Sequence, residues 1–427
     1  MQRTIPIPYY TSTLALHVEE ENLKAVLTAK MHGFHAEKSQ EQLVLDALEH
    51  PVGSPRLRTL AEGKRNIVIV TSDHTRAVPS KITLPLLLKE IRSGNPDADI
   101  TILIATGLHR PTTEEEQRRM FGDEIVDHEK IAINNAFAPE QFVELCTLPS
   151  GAVFQVNRLA AECDLLVTEG FVEPHFFAGF SGGRKSILPG ISGMETICHN
   201  HAYSLDPACL MSNPRIGNGK VKDNPLNDDM CEAAAMVPQL YMVNLVMNAE
   251  MQLAEIYAGH YLTSWQKACE AVDRIYRVEV PEKADAIIAS CGGFPKDMSL
   301  YQGTKTIDNV ETGLKPGGTL ILLIEARDGG GPAEYFGWID DLLGGTMEKR
   351  LREHFTVPGY IFLLNCEQAH RYNILMLTSV PQETVAPMGL KAFSDVDELM
   401  KAAHLEGKSL YVIPNGSTVV PYVKEKK

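Results

Sequence analysis

The feature that most limits what this chain can become is an alternation of short β-branched runs with amphipathic helical stretches. Asn66–Ser72 reads as a buried strand, and residues 79–92 follow as a helix with Leu84, Leu87, Leu88 and Ile91 on one face. Asp99–Ala105 is the next expected strand, then a helix near 113–121, then strands at 130–134 and 164–168. The pattern restarts near 276–283. A strand at Ala284–Ser290 is followed by a helix at 300–314 and a strand at 318–325, with further strands expected at 361–364, 374–377 and Leu410–Ile413. Helices are expected near 346–354 and 396–404. Such alternation predicts an α/β fold: two α/β domains with mainly parallel sheets, residues 1–275 and 276–427, and an active site in the cleft between them. Residues 170–235 break the rhythm, being rich in Gly, Pro, Asn and His, and so long an irregular stretch is kept mostly for function. Only the tail VKEKK looks solvated and frayed.

Composition excludes several classes. Forty Lys+Arg against 55 Asp+Glu leave a formal charge of −15 over 427 residues, with no basic stripe. Nucleic acid and anionic membrane are therefore poor partners. The longest apolar runs, such as 67–70, 100–105 and 320–324, fall far below the ~20 residues that span a bilayer. The opening MQRTIPIPYY lacks the apolar core of a signal peptide. Eight scattered cysteines (146, 163, 198, 209, 231, 269, 291 and 366) form no C-x-x-C pair, which fits a reducing cytoplasm and excludes a disulfide framework or zinc ribbon.

In open parallel sheets, ligands sit beyond the carboxyl ends of strands. The residues just beyond the expected strands here are rich in chemistry. Asp73-His74-Thr75-Arg76 comes after the first, and Gly107-Leu108-His109-Arg110 after the second. EGFVEPHFFAGFSGGRKS, with His175 and Lys185, comes after the strand at 164–168, and CGGFPKDMSLYQGTK, with Gln302 and Lys305, after Ala284–Ser290. Singly, each has a plainer reading as a turn, cap or solvated residue. Gly179–Ser186 resembles the phosphate loop G-x-x-x-x-G-K-[ST], but Arg184 stands where that loop has its last glycine, which disfavours a nucleoside triphosphate. The Gly-rich backbone with Arg184 and Lys185 still suits a single phosphate. No G-x-G-x-x-G fingerprint comes after a strand.

DHTRAVPSK (73–81), ATGLHRPT (105–112), GFVEPHFFAGFSGGRKSILPGI (170–191), NHA (200–202) and LYQGTK (300–305) resemble the lactate racemase family, nickel-pincer-nucleotide-dependent racemases and epimerases of 2-hydroxy acids. The likeness runs from about residue 45 to the C-terminus. It implies a nickel cofactor carried on a pyridinium-derived mononucleotide with two sulfur arms, tethered through a thioamide at Lys185 with Gly182, Gly183 and Arg184 around it. His201 resembles the nickel ligand, with His199 as the rival. His109 and His175 resemble an acid/base pair, and Arg76, Lys305, Gln302, Tyr301 and Asp73 resemble substrate-holding and orienting groups. The resemblance also implies partner proteins that build the cofactor and insert nickel.

The chemistry explains why such residues are needed. The C2 hydrogen of a 2-hydroxy acid is too weakly acidic for an imidazole of pKa near ~6.5. Removing it as hydride leaves a planar 2-keto acid that can be refilled from the other face, and only a cofactor can hold the hydride. Two imidazoles then serve the hydroxyls of the two enantiomers. Two other readings stand beside this one: a zinc-type hydrolase using His109, His175 and His201, which lack tight ligand spacing, and a binding protein capturing a carboxylate through Arg76 and Lys305. Among racemases, longer hydroxy acids, malate or sugar acids rival lactate.

Overall fold

The computed structural model describes residues 1–424; residues 425–427 of the expected solvated tail lie outside the described residues. The chain forms two α/β units. The larger comprises residues 31–203 and 215–274, and the smaller residues 1–30, 204–214 and 275–427.

In the larger unit, Asn66–Ser72 is the first strand of a six-stranded sheet. Asp99–Ala105 and Lys130–Ile133 are added in parallel on one side of it, and Leu165–Phe171 and Leu240–Met247 in parallel on the other. The antiparallel strand Leu253–His260 closes that edge. The helix Ser80–Gly94 buries Leu84, Leu87, Leu88 and Ile91 against Ile67, Ile69 and Ile102, the spacing of one helical face. Each such side chain stabilises the fold by about 1.5–3 kcal/mol. The chain reverses its direction of growth between Asn66–Ser72 and Leu165–Phe171, so their carboxyl ends flank the crevice where open sheets take ligands.

The smaller unit has its own six-stranded parallel sheet, ordered Lys391–Phe393, Asn373–Leu377, Leu314–Leu323, Ala284–Ser290, Leu410–Ile413, Leu23–Val26. Two stretches on the early side of the expected boundary at 275 belong to it. The hairpin Gln2–Tyr9/Ser12–Glu19 buries Ile5, Ile7, Leu16 and Val18 against Ile288, Ile321 and Leu375, and Leu23–Val26 pairs with Leu410–Ile413. Residues 204–214 are held by side chains distant in sequence. Glu367 accepts from the Ser212 N–H and hydroxyl, and Arg352 donates to the carbonyls of Asp206 and Cys209.

Two local expectations need correction. Residues 361–364 are not a strand but the middle of the helix Val357–Arg371. A short apolar run cannot distinguish strand from helix by period, and Thr356 caps the helix by accepting from the Gly359 N–H, with Pro358 in its first turn. The expected helix at 300–314 is broken into Leu300–Gly303 and Lys305–Val310, and the following strand already begins at Leu314. Within 170–235 the structure adds the helices Met194–Ala202 and Pro225–Met236; the second is announced by Asn224 as cap and Pro225 at its first position. Among the described residues, no helix is long and apolar enough to cross a membrane.

Candidate active site

The sheet ends at Ser72, and the next residue, Asp73, is buried with both carboxylate oxygens engaged. Its Oδ1 accepts from the Thr75 N–H (3.0 Å) and hydroxyl (2.6 Å), and its Oδ2 lies 2.7 Å from Nδ1 of His109. His109 arrives from the neighbouring strand through a tight turn in which Gly107 has φ +51° and the His109 N–H bonds to the Thr106 carbonyl. Arg110 beside it is gripped by Glu116, which also closes the capping box of the helix Glu114–Phe121. Burial alone would raise the Asp73 carboxyl, but the bonds from His109 and Thr75 hold it below the usual carboxylate range. A carboxylate so placed accepts Nδ1–H and leaves the Nε2 lone pair of His109, a ring 47% exposed, as a base.

After Leu165–Phe171 the chain forms the small hairpin Pro174–His175/Gly179–Phe180 and then the 3-10 turn Gly183–Ser186. His175 is oriented by backbone: its Nδ1 accepts from the N–H groups of Phe177 (3.1 Å) and Ala178 (3.4 Å), and its ring stacks on Phe176. With Nδ1 an acceptor, the proton of the neutral ring is assigned to Nε2, which lies 3.1 Å from Nζ of Lys185. Burial, followed by the positive charges of Arg184 and Arg76, pushes the half-buried Lys185 amine well below the ordinary lysine value, against the pull of Glu173.

The glycines and arginine of this turn act differently from a phosphate cradle. A Cβ at Gly182 would stand 2.7 Å from Val172 and one at Gly183 2.5 Å from the Trp265 ring, so both positions need glycine for close packing as well as for positive φ. Arg184, only 2% exposed, turns inward. It donates to the carbonyls of Phe180, Ala178 and Gly182 and to Asn227 Oδ1, and lies 3.8 Å over the Trp265 ring. The expectation that Arg184 faces a phosphate is therefore corrected: its guanidinium turns inward and makes four hydrogen bonds that hold the turn presenting Lys185.

The helix Met194–Ala202 separates the two rival histidines. His199 is exposed and lies 2.9 Å from the Ser150 carbonyl. His201 is 7% exposed, packs edge-on to Phe177, and its buried Nδ1 has no hydrogen-bond partner. Burial pushes the His201 ring down to about 3, so it is neutral and fit to donate a lone pair. A metal cage made by protein alone is absent: among the described residues, no three His, Cys, Asp or Glu side chains gather around one point. The donor set instead fits a group that brings its own metal donors, is fixed at Lys185 and takes one imidazole from His201.

Arg76 is exposed beside a cavity of about 420 Å³ that it shares with His74, Lys81 and Arg119. In the smaller unit, Lys305 Nζ lies 3.0 Å from Gln302 Oε1 and 4.4 Å above the ring of Tyr301, so these three form one cluster. One residue escaped the sequence reading. Glu169 is buried on the central strand Leu165–Phe171 and accepts from the hydroxyls of Thr71 (2.6 Å), Ser80 (2.5 Å) and Thr83. Thr71 precedes the Asp73 loop and Ser80 comes after it, so Glu169 clamps both stems. A lone carboxylate inside the apolar run LLVTEGF was the available signal.

Side chains arranged in this way at a strand-end crevice have the chemistry to exchange protons, as the site of an α/β enzyme does. The chain belongs to the lactate racemase family, a family of isomerases: the lactate racemase N-terminal domain matches residues 9–211 and the lactate racemase C-terminal domain residues 280–421. It is 38% identical to a lactate racemase of Thermoanaerobacterium thermosaccharolyticum, covering 99% of both chains, and 34% identical to one of Lactiplantibacillus plantarum, covering 97% of this chain and 99% of that one. Its fold is similar to that of the T. thermosaccharolyticum lactate racemase apoprotein, with a TM-score of 0.88 over 99% of this chain and all of the other. A Thermotoga maritima protein at 19% identity shares the fold, with a TM-score of 0.63 over 90% of this chain and 97% of that one.

Proposed function

We propose that the protein interconverts the enantiomers of a 2-hydroxy acid, lactate first among them, using a nickel-pincer nucleotide fixed to Lys185 with His201 as the protein ligand to nickel. When bound, that group supplies the reversible hydride acceptor that side chains cannot provide. The remaining work falls to the chain. His109, its Nδ1–H given to Asp73, takes the hydroxyl proton of one enantiomer at Nε2. His175 serves the other and returns its proton as acid. Arg76 holds the substrate carboxylate in its planar fork, and Lys305, Gln302 and Tyr301 are assigned to substrate contact on the strength of the motif they form. Proteins that build the cofactor and insert nickel are the expected partners, and the cytoplasm the expected compartment.

The observation that carries this reading is the neighbourhood of Lys185: an amine 3.1 Å from an imidazole, pushed well below the ordinary lysine value by burial and neighbouring cations, with a second, neutral imidazole buried and unpartnered at Nδ1. The test is co-expression with cofactor-building proteins, followed by nickel analysis, the mass of the Lys185 peptide, and a chiral assay against a panel of 2-hydroxy acids. Lactate is expected to racemise fastest. Lys185→Ala is expected to lose adduct, nickel and activity together, and full activity in that variant would refute the tether.

A further inference from the structure

Lys185 sits next to a residue with an unusual electrostatic position. Arg184 is buried, satisfied by three carbonyls, one amide oxygen and the face of Trp265, and has no carboxylate partner among the described residues. A guanidinium keeps its charge in such a place, and an uncompensated charge next along the chain disfavours an ammonium at 185. The hydrogen bonds argue the same way independently. Phe177 and Ala178 donate to Nδ1 of His175, so a neutral His175 carries its proton at Nε2. Opposite that N–H, at 3.1 Å, a donor-only ammonium would set N–H against N–H, whereas a neutral amine accepts. The other groups acting on Lys185 or influenced by it are Arg76, Glu173 and His201, of which only Glu173 favours the charge.

We propose that, before any cofactor is attached, Arg184 and His175 together activate Lys185: the carbonyl-held guanidinium excludes an ammonium, the Nε2–H of His175 bonds to the amine lone pair, and position 185 is a nucleophile at neutral pH. This deepens the tether reading on which it rests by giving His175 a first task in maturation, separate from its task in turnover. An amine must hold its lone pair to form a bond to carbon, so the device prepares the residue for acylation.

The test uses the full chain purified without cofactor and pulse-labelled with acetic anhydride between pH 5 and 11, with peptides read by mass spectrometry. In the probe reaction the Nζ–C bond forms as the anhydride C–O bond breaks, acetate leaves and one proton goes to solvent. Lys185 is expected to reach half its maximal labelling rate at or below about pH 7, roughly three units or more below the exposed Lys24 of the same chain. Arg184→Met should narrow that gap. If Arg184→Met does not fold, His175→Leu carries the test and should raise the midpoint by about one unit. A Lys185 midpoint level with that of Lys24, or no labelling of Lys185 at any pH, overturns the proposal. Early labelling with no adduct after co-expression upholds the activation and sinks the tether; an adduct on a lysine that titrates like Lys24 does the reverse.

Discussion

The two histidines at the crevice of the larger unit look equivalent in the sequence and differ in every partner. His109 gives Nδ1–H to a buried carboxylate, and its Nε2 is left as a lone pair facing solvent. His175 receives backbone N–H groups at Nδ1 and presents Nε2–H to an amine. The first is therefore set as a proton acceptor and the second as a donor, although neither ring differs chemically from the other. The surroundings of Nδ1 fix the role open to Nε2. A racemase needs both rings to exchange both roles. Attachment of a cofactor to Lys185 would take away the amine that His175 now serves and free its Nε2 for substrate.

The largest effect that would break this contrast is expected from Asp73→Asn. An amide can face His109 with its NH₂ and force the tautomer with Nε2–H, removing the base; activity should fall ~10²–10⁴-fold. Because the enantiomers are equal in free energy, kcat/KM must fall by one factor in both directions, so direction of assay cannot reveal which histidine was lost. The labelling profile of Lys185 can. It should stay in place in Asp73→Asn and move in His175→Leu, and a shift in both would mean that the two imidazoles are coupled rather than separately set.

Much of this was legible because strand-end loops carry their chemistry in contiguous motifs. Asp73, His109, His175 and Lys185 could each be found in the loop just beyond a β-branched run. Their pairing could not, since Asp73 and His109 are joined across neighbouring strands. The inward turn of Arg184 was hidden for a related reason: Trp265 and Asn227, which receive it, lie far along the chain. The N-terminal hairpin, by contrast, left a signal in the alternation of Ile5, Ile7, Leu16 and Val18, but its membership of the smaller unit depends on strands almost three hundred residues later. The helix Val357–Arg371 was misread at 361–364 because a helix buried on nearly all sides has no polar stripe to reveal its period.

Glu169 tests whether the two histidine environments share a support. Its hydroxyl partners hold the stems of the Asp73 loop, while its own strand leads into the His175 hairpin. Burial raises this carboxyl, opposed by the bonds from Ser80, Thr71 and Thr83. Glu169→Gln keeps the shape but turns one acceptor into a donor facing hydroxyls that must then rotate or go unpaired, a cost of about 1–3 kcal/mol. Thermal unfolding should move down by a few degrees. Activity should fall ~10–10²-fold through misplacement of the loop. Unlike Asp73→Asn, this variant should disturb both the rate and the Lys185 profile; loss of stability with neither changed would confine Glu169 to the core.

The smallest expected effect lies at Thr75, whose hydroxyl and N–H both donate to Asp73 Oδ1. Thr75→Val keeps the backbone bond and the side-chain shape but removes the hydroxyl donor, a net loss of about 0.5–1.5 kcal/mol. Since that bond favours the carboxylate, the Asp73 value should rise toward the usual ~3.9. The sign for folding is set by a folded-state value below the unfolded one. Asp73's stabilisation is fully present above the unfolded value and is lost as pH falls through the folded value, so denaturant unfolding should show Thr75→Val losing its full increment at neutral pH and converging with the parent in acid. The contrast with His175 sharpens here: that ring is held at Nδ1 by two peptide N–H groups and not by Asp73, so Thr75→Val should leave its orientation untouched. If Thr75→Val lost the same stability at every pH, the hydroxyl would not be favouring the Asp73 carboxylate, and the asymmetry of the two histidines would have to rest on His109's exposure alone.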